Sequence, residues 1–384
     1  MDPGRRRFLT ASALAAAMGA LPRFAVAAAS RADTRLLIVF LRGGMDGLHV
    51  LQPVGDPAYA RLRGALADAA PPQAHLDGLF AWHPALQTLS TLYAHKSLLP
   101  VVAVAPPYRD RSHFEAQDCV ENGTGGPGAT PSGWLNRCVG AMPGGEGLAL
   151  AAVMPMILRG TGNVRTWSPP LPDAVDPILM QRLQLLYAAD PLLAPAFARV
   201  DPQGGASMDM RGTAKGSRLV QMADDAGRFM AAPQGPRIAF VEDTGWDTHG
   251  NEAAILAGKL RELDDAVQAF QQAAQPVWAN TAVVIVSEFG RTAAVNGTGG
   301  TDHGTGGLAF VTGGAVRGGR IGGDWPGLAP GDLNENRDLR TTTDMRGLFK
   351  GLLRDHLDLQ EGVLDRVVFP GSAAVRAMDG LVHA

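Results

Sequence analysis

Five short motifs hold most of the residues in this chain that could do chemistry. They are Arg42-Gly43-Gly44-Met45-Asp46-Gly47, Tyr108-Arg109-Asp110-Arg111-Ser112-His113, Gly245-Trp246-Asp247-Thr248-His249-Gly250, Ser287-Glu288-Phe289-Gly290-Arg291 and Thr301-Asp302-His303-Gly304. Carboxylate oxygens and imidazole nitrogens together suit Zn²⁺, Mn²⁺ or Fe²⁺. Glycines beside Asp46, His249, Glu288 and His303 let the backbone turn sharply and come close to an ion or substrate. Ser112 opens an expected helix, with Glu115 three residues on as in a capping box. A helix N-terminus welcomes an anion, and a serine hydroxyl beside a divalent cation can lose its proton and attack.

Each residue also has a plainer role open to it. Asp46 could form a turn, Ser112 could only cap its helix, and Asp247 with His249 could be another helix-start pair. Glu288 could do no more than pair with Arg291. Asp302 could be a ligand, a partner of one, or a turn residue. His113 is ambiguous, and His49, His75, His83, His95, His356 and His383 read as structural or solvated.

The elements that must position these motifs are strands. Continuous apolar runs at Arg35 to Leu41, Leu99 to Ala105, Leu148 to Val153, Arg237 to Val241, Thr281 to Val286 and Leu308 to Val311 suit strands buried on both faces. Between them, Leu256, Leu260, Leu263, Val267 and Phe270 form one stripe of a helix over Asn251 to Ala274. A second helix spans Asp344 to His356. The alternation predicts an α/β fold with a doubly wound, largely parallel sheet and helices on both faces. Ligands of such sheets bind beyond the carboxyl ends of the strands, and four of the apolar runs exit into a carboxylate, a histidine or both.

The rest of the chain bounds the reading. Its 384 residues, 46% of them hydrophobic, suffice for a large core. A net charge of −3 with no basic stripe excludes nucleic acid as the expected partner. Arg5-Arg6-Arg7-Phe8-Leu9, an Ala-rich stretch to Leu21 and Ala25-Val26-Ala27 read as a twin-arginine (Tat) signal over residues 1–27. That makes the Tat translocase a partner during export and a periplasmic or secreted protein the expectation. The apolar stretch is too short for a stable membrane anchor. Residues 28–384 form the α/β domain, with about 161–236 read as a helical insertion or cap containing a loose stretch near Gly204 to Gly216. Cys119 and Cys138 are too few for a zinc–thiolate site and could form one disulfide.

Taken in order, the signal, LRGGMDGLHV, YRDRSHFEAQD, GWDTHGNE, VVIVSEFGRT and TDHGTGG closely resemble an exported bacterial family known only as a domain of unknown function. The order of strand-end ligands is similar in turn to the alkaline phosphatase-like superfamily, which includes sulfatases. The resemblance implies one metal held by Asp247, His249 and His303, and a second held by Asp46, Glu288 and the Ser112 oxygen. Ser112 falls at the superfamily's nucleophile position. Two departures stand out. The acid–histidine spacing in GWDTHG is two, where four is commoner, and Phe289 stands where the superfamily has a histidine.

The favoured expectation is an exported hydrolase of a phosphate or sulfate ester, small-molecule or polymeric, using one or two divalent ions (Zn, Mn, Mg or Fe). Ser112 or a water attacks, and Arg42, Arg111 or Arg291 binds the remaining oxygens as a planar fork. The alternative is a non-catalytic exported protein that keeps a metal for stability or binds an anionic polymer. An isomerase or phosphotransferase is a third reading, disfavoured by export.

Overall fold

The computed structural model describes residues 33–72, 74–169, 182, 185–188 and 217–383. The signal segment and the stretch from Gly204 to Gly216 lie outside the described residues. Eight strands make the main sheet: β1 (Arg35–Leu41), β2 (Leu98–Ala105), β3 (Gly147–Leu150), β4 (Val164–Trp167), β5 (Ile238–Asp243), β6 (Thr281–Ser287), β7 (Gly307–Thr312) and β8 (Thr343–Asp344). Their spatial order is β8-β2-β7-β6-β1-β5-β3-β4. β1 lies at the centre, parallel to β5 on one side and β6 on the other.

β7 alone runs antiparallel to its neighbours, β2 and β6. The reason is its connection. No helix crosses over between Ser287 and Gly307, so the chain turns back at the end of β6 rather than returning to the start of the sheet. The loop that makes this turn carries Glu288, Arg291, Asp302 and His303. It is therefore held over the carboxyl end of the sheet from both sides.

Helices cover both faces, as the continuous apolar strands require. Along β1, Leu36, Ile38 and Phe40 pack into one core with α2 (His113–Asn122), α3 (Trp134–Ala141) and α6 (Met345–Leu357). Leu37, Val39 and Leu41 point into a second core with α1 (Gln87–Ala94), α4 (Arg218–Ala231) and α5 (Glu252–Ala273). The α5 stripe Leu256, Leu260, Leu263, Val267 and Phe270 is buried throughout. At roughly 1.5–3 kcal/mol per buried side chain, that stripe alone is a major contribution to holding α5 on the sheet.

Several expectations need adjusting. Two strands of the main sheet were not read from the sequence, Val164–Trp167 and Thr343–Asp344, and both are short edge strands with little apolar signal. Within residues 161–236, β4 belongs to the main sheet, and α4 packs on the sheet core and against α5. Cys119 and Cys138 are both buried and free, so no disulfide joins α2 to α3.

Gly43, which follows the first residue after β1, fixes how closely two site-bearing loops approach. Its φ is +127°, and a Cβ there would lie 2.5 Å from the Asp247 backbone nitrogen. Substitution Gly43→Ala is expected to cost about 1–3 kcal/mol through this clash, read by denaturant unfolding. A stability equal to wild type would show that the loops are free to move apart.

Candidate metal centre

Three side chains from three loops, His113, Asp247 and His303, each offer a ligand atom within 4.8 Å of the others beyond the carboxyl ends of the strands, and His249 adjoins Asp247 and His303. His113 is the first residue of α2, after β2; Asp247 and His249 follow β5; His303 lies in the β6–β7 loop. The His303 Nε2 lies 2.9 Å from His113 Nε2 and 3.0 Å from His249 Nε2. Asp247 Oδ1 is 3.0 Å from His249 Nε2 and 3.3 Å from His303 Nε2, and its Oδ2 is 3.4 Å from His113 Nε2.

The far side of each imidazole is already engaged. His113 Nδ1 lies 2.7 Å from Glu288 Oε1, His249 Nδ1 lies 3.0 Å from Asp302 Oδ1, and His303 Nδ1 lies 3.0 Å from the Arg111 carbonyl oxygen. These partners only accept hydrogen bonds, so each Nδ1 carries the proton and donates it. The Nε2 atoms of His113 and His249 then both face that of His303, beside a carboxylate. Lone pairs at about 3 Å repel unless a cation lies between them. The observed separations bracket the edge of about 3.3 Å expected for a tetrahedron built on zinc–nitrogen distances of about 2.0–2.1 Å. The donor set thus fits a divalent ion, and backing of each ligand imidazole by an acceptor is the usual support of such a site.

Charges around the centre are arranged to the same end. Glu288 is fully buried and also accepts from the Gly43 backbone N–H (2.8 Å) and from Gln117 Nε2 (2.9 Å). The hydrogen bond to Glu288 raises the pKa of His113 above the ordinary histidine value. Burial, and then the charge of His113, lowers that of His303. Burial works against ionisation of Asp247, but the Arg291 guanidinium, 2.5 Å away, outweighs it and holds that carboxyl below the usual range. The centre is nevertheless open: the side chains of Asp247 and His249 are 40% and 46% exposed.

The other expected site residues are elsewhere. Asp46 is buried and paired with the buried Arg63 at 2.5 Å, and Glu288 is turned to His113, so the carboxylates assigned to a second metal are engaged with other partners. Ser112 is the N-cap residue of α2, but its side chain makes no cap hydrogen bond. Glu115 instead bonds the Tyr108 hydroxyl, so the expected capping box does not form. Arg42 is shared among Glu242, Glu121 and Gln117. Arg291 is held by Asp247 and Thr301, and Arg111 by Glu335 and Asp338. All three arginines brace carboxylates or the loops that bear ligands. Asp302 is the partner of a ligand, one of the roles left open for it.

Sequence reasoning left His113 unassigned. Its signal was its place, next to Ser112 at the same strand exit. Glu252, at the start of α5, was also missed. Burial, then the nearby Asp46 carboxylate, pushes its pKa up to about 9. It is therefore protonated at neutral pH and shares its proton with the ionised Asp46. Its Oε2 accepts from Thr301 Oγ1 (2.7 Å), and Thr301 in turn accepts from Arg291 Nε (3.2 Å). A chain of hydrogen bonds thus runs from the buried acid pair to Asp247.

The resemblance to a family of unestablished function is borne out: residues 179–368 match the family model described as "Protein of unknown function (DUF1501)". No curated protein matches the sequence. Among solved structures, the chain is similar to a protein of the alkaline phosphatase superfamily from Vibrio parahaemolyticus (12% identity, TM-score 0.38). That match takes in 76% of this chain and spans 62% of the length of the Vibrio one. A Bacteroides thetaiotaomicron protein of a glycosaminoglycan-metabolism locus is 9% identical over 90% of this chain and 75% of that one, with TM-score 0.45. The phosphonate monoester hydrolase of Agrobacterium radiobacter is 13% identical over 85% and 74%, with TM-score 0.40. These likenesses concern the fold alone.

Two outcomes test the geometry. Glu288→Gln is expected to weaken binding of Zn²⁺ about 10–100-fold by competition titration, because it replaces the charged acceptor that fixes His113 with a neutral, weaker one. Affinity equal to wild type would show that Glu288 does not orient that ligand. Between pH 4.5 and about 9 the unfolded chain loses the Glu252 proton while the folded protein keeps it, so this group makes stability fall as pH rises. Glu252→Gln is expected to flatten that fall in Tm over the same window.

Proposed function

We propose that the protein is a metal-dependent hydrolase of an anionic ester, with one divalent ion held by His113, Asp247 and His303, and His249 standing beside it. The observation that carries this reading is the close approach of the His113 and His303 Nε2 atoms (2.9 Å) to each other and to the Asp247 carboxylate (3.3–3.4 Å), with each Nδ1 engaged behind them and His249 adjoining. The donor set of two imidazoles and a carboxylate favours zinc. When bound, such an ion supplies Lewis acidity toward an ester oxygen and lowers the pKa of water.

The chain's own residues divide the remaining work. Glu288, Asp302 and the Arg111 carbonyl fix the three imidazoles as Nδ1–H tautomers and leave Nε2 free. Arg291 keeps Asp247 ionised and in place. The half-exposed face of Asp247 and His249 leaves the centre open to a substrate. Water is the attacking group in this reading, with the Ser112 hydroxyl at the helix cap as the other candidate nucleophile. A phosphate or sulfate ester as substrate rests on the sequence resemblance, as does export by the Tat route. No helix among the described residues is long and apolar enough to cross a membrane.

One observation favours a second reading. His249 Nε2 lies 3.0 Å from both His303 Nε2 and Asp247 Oδ1, and a shift that brought it onto the ion as a fourth donor would fill a tetrahedral site, as in structural zinc centres, whereas catalytic centres usually keep a position open. On that reading the ion stabilises a non-catalytic protein.

Zinc-loaded protein assayed on phosphomonoesters, phosphodiesters and sulfate esters decides between them. Turnover is expected, with loss of at least about 100-fold in kcat/KM for His303→Ala and less than about 10-fold for Ser112→Ala. Loss of about a thousandfold in Ser112→Ala would make the serine the nucleophile. No turnover on any ester, with one zinc bound and a Tm that falls when it is removed, would establish the structural reading.

A further inference from the structure

Behind the centre lies a second cluster of polar side chains, fully enclosed and not part of the metal site. Asp46 caps the helical turn Gly47–Val50 and His49 lies within it, Tyr59 and Arg63 sit one turn apart on the helix Tyr59–Arg63, His83 follows a short strand, and Glu252 begins α5. Asp46, His49, Arg63 and Glu252 are wholly buried, and Tyr59 and His83 nearly so. The His49 and His83 rings stand 5.0 Å apart, and Arg63 Nη2 bonds both oxygens of Asp46.

Much of the hydrogen-bonding capacity here is unused. His49 Nδ1 and Nε2, Tyr59 Oη, Arg63 Nε and Nη1, and His83 Nε2 are all buried without a protein partner. Leaving that many polar groups unpaired would rival the whole net stability of a domain. Most are donors. His83 Nδ1 accepts from the Ala85 backbone N–H at 3.1 Å, so its Nε2 carries a proton, and Arg63 offers three N–H groups.

We infer that Arg63, Tyr59, His49 and His83 enclose an internal water site, with ordered water as the resident ligand. Water fits the charge balance. Asp46 already neutralises Arg63, and Glu252 carries its proton, so the cluster has no net charge for an anion to offset. The Arg63 guanidinium repels a cation, and the group of possible metal ligands found among the described residues is His113, Asp247 and His303, outside this cluster. Water alone both accepts from the many donors and donates to the one free imidazole nitrogen of His49.

Substitution Tyr59→Phe reads the site by the sign of its effect. If water meets the hydroxyl, its loss lowers Tm, by about 1–4 °C for a domain of this size. If the hydroxyl is unpaired, removing it raises Tm, which would overturn the inference. Crystals of the zinc-loaded protein grown in bromide provide the direct view. Ordered water at about 2.7–3.2 Å from Arg63 Nε or Nη1, Tyr59 Oη and His83 Nε2 is the expected result. A bromide anomalous peak in the chamber, or side chains paired directly with no water between them, would refute it.

Discussion

Imidazoles cannot crowd unprotonated Nε2 atoms to about 3 Å, as His113 and His249 do against His303, without something positive between them. The rest of the site depends on that constraint. Glu288, Asp302 and the Arg111 carbonyl each hold an Nδ1 proton and so remove the easiest escape, which is for a ring to turn its N–H inward. A proton can relieve one pair of nitrogens. A divalent ion would satisfy His113, His303 and the Asp247 carboxylate together.

Holding the constraint requires buried charge, and the fold keeps that charge neutral in stages. Arg42 lies among Glu121, Glu242 and Gln117; Gln117 then reaches Glu288. Arg291 is sealed beneath Asp247 and tied to Thr301. Arg63 answers Asp46, and Glu252 stays protonated beside them. An unpaired charge at any of these buried positions would be expensive, so the arginines serve the scaffold of the site. A residue type that recognises phosphate so well in the open has here been spent on carboxylates.

The same layout explains why a second metal position did not assemble from the residues expected to form it. Asp46 had the right place after β1, but a buried guanidinium is its partner. Glu288 had the right place after β6, but in the position where the related pattern has a histidine the chain has Phe289, whose ring packs against His113 and His303 at centroid distances of 4.8 and 5.3 Å. Glu288 is left to orient a ligand instead of being one.

From the sequence alone one could read the strands at Arg35–Leu41 and Thr281–Ser287, the α5 stripe and the exits where chemistry gathers. Those signals are local: apolar continuity, helical spacing, and glycines beside acids and histidines. His303, Asp247 and His249 were legible for the same reason. What each polar group faces was decided only by tertiary structure. The antiparallel return of β7, the turning of Asp46 to Arg63, and the choice of His113 over Ser112 all depend on residues tens to hundreds of positions away. A strand's burial is written in its own side chains, whereas a hydrogen bond or ligand geometry belongs to the pair that folding brings together.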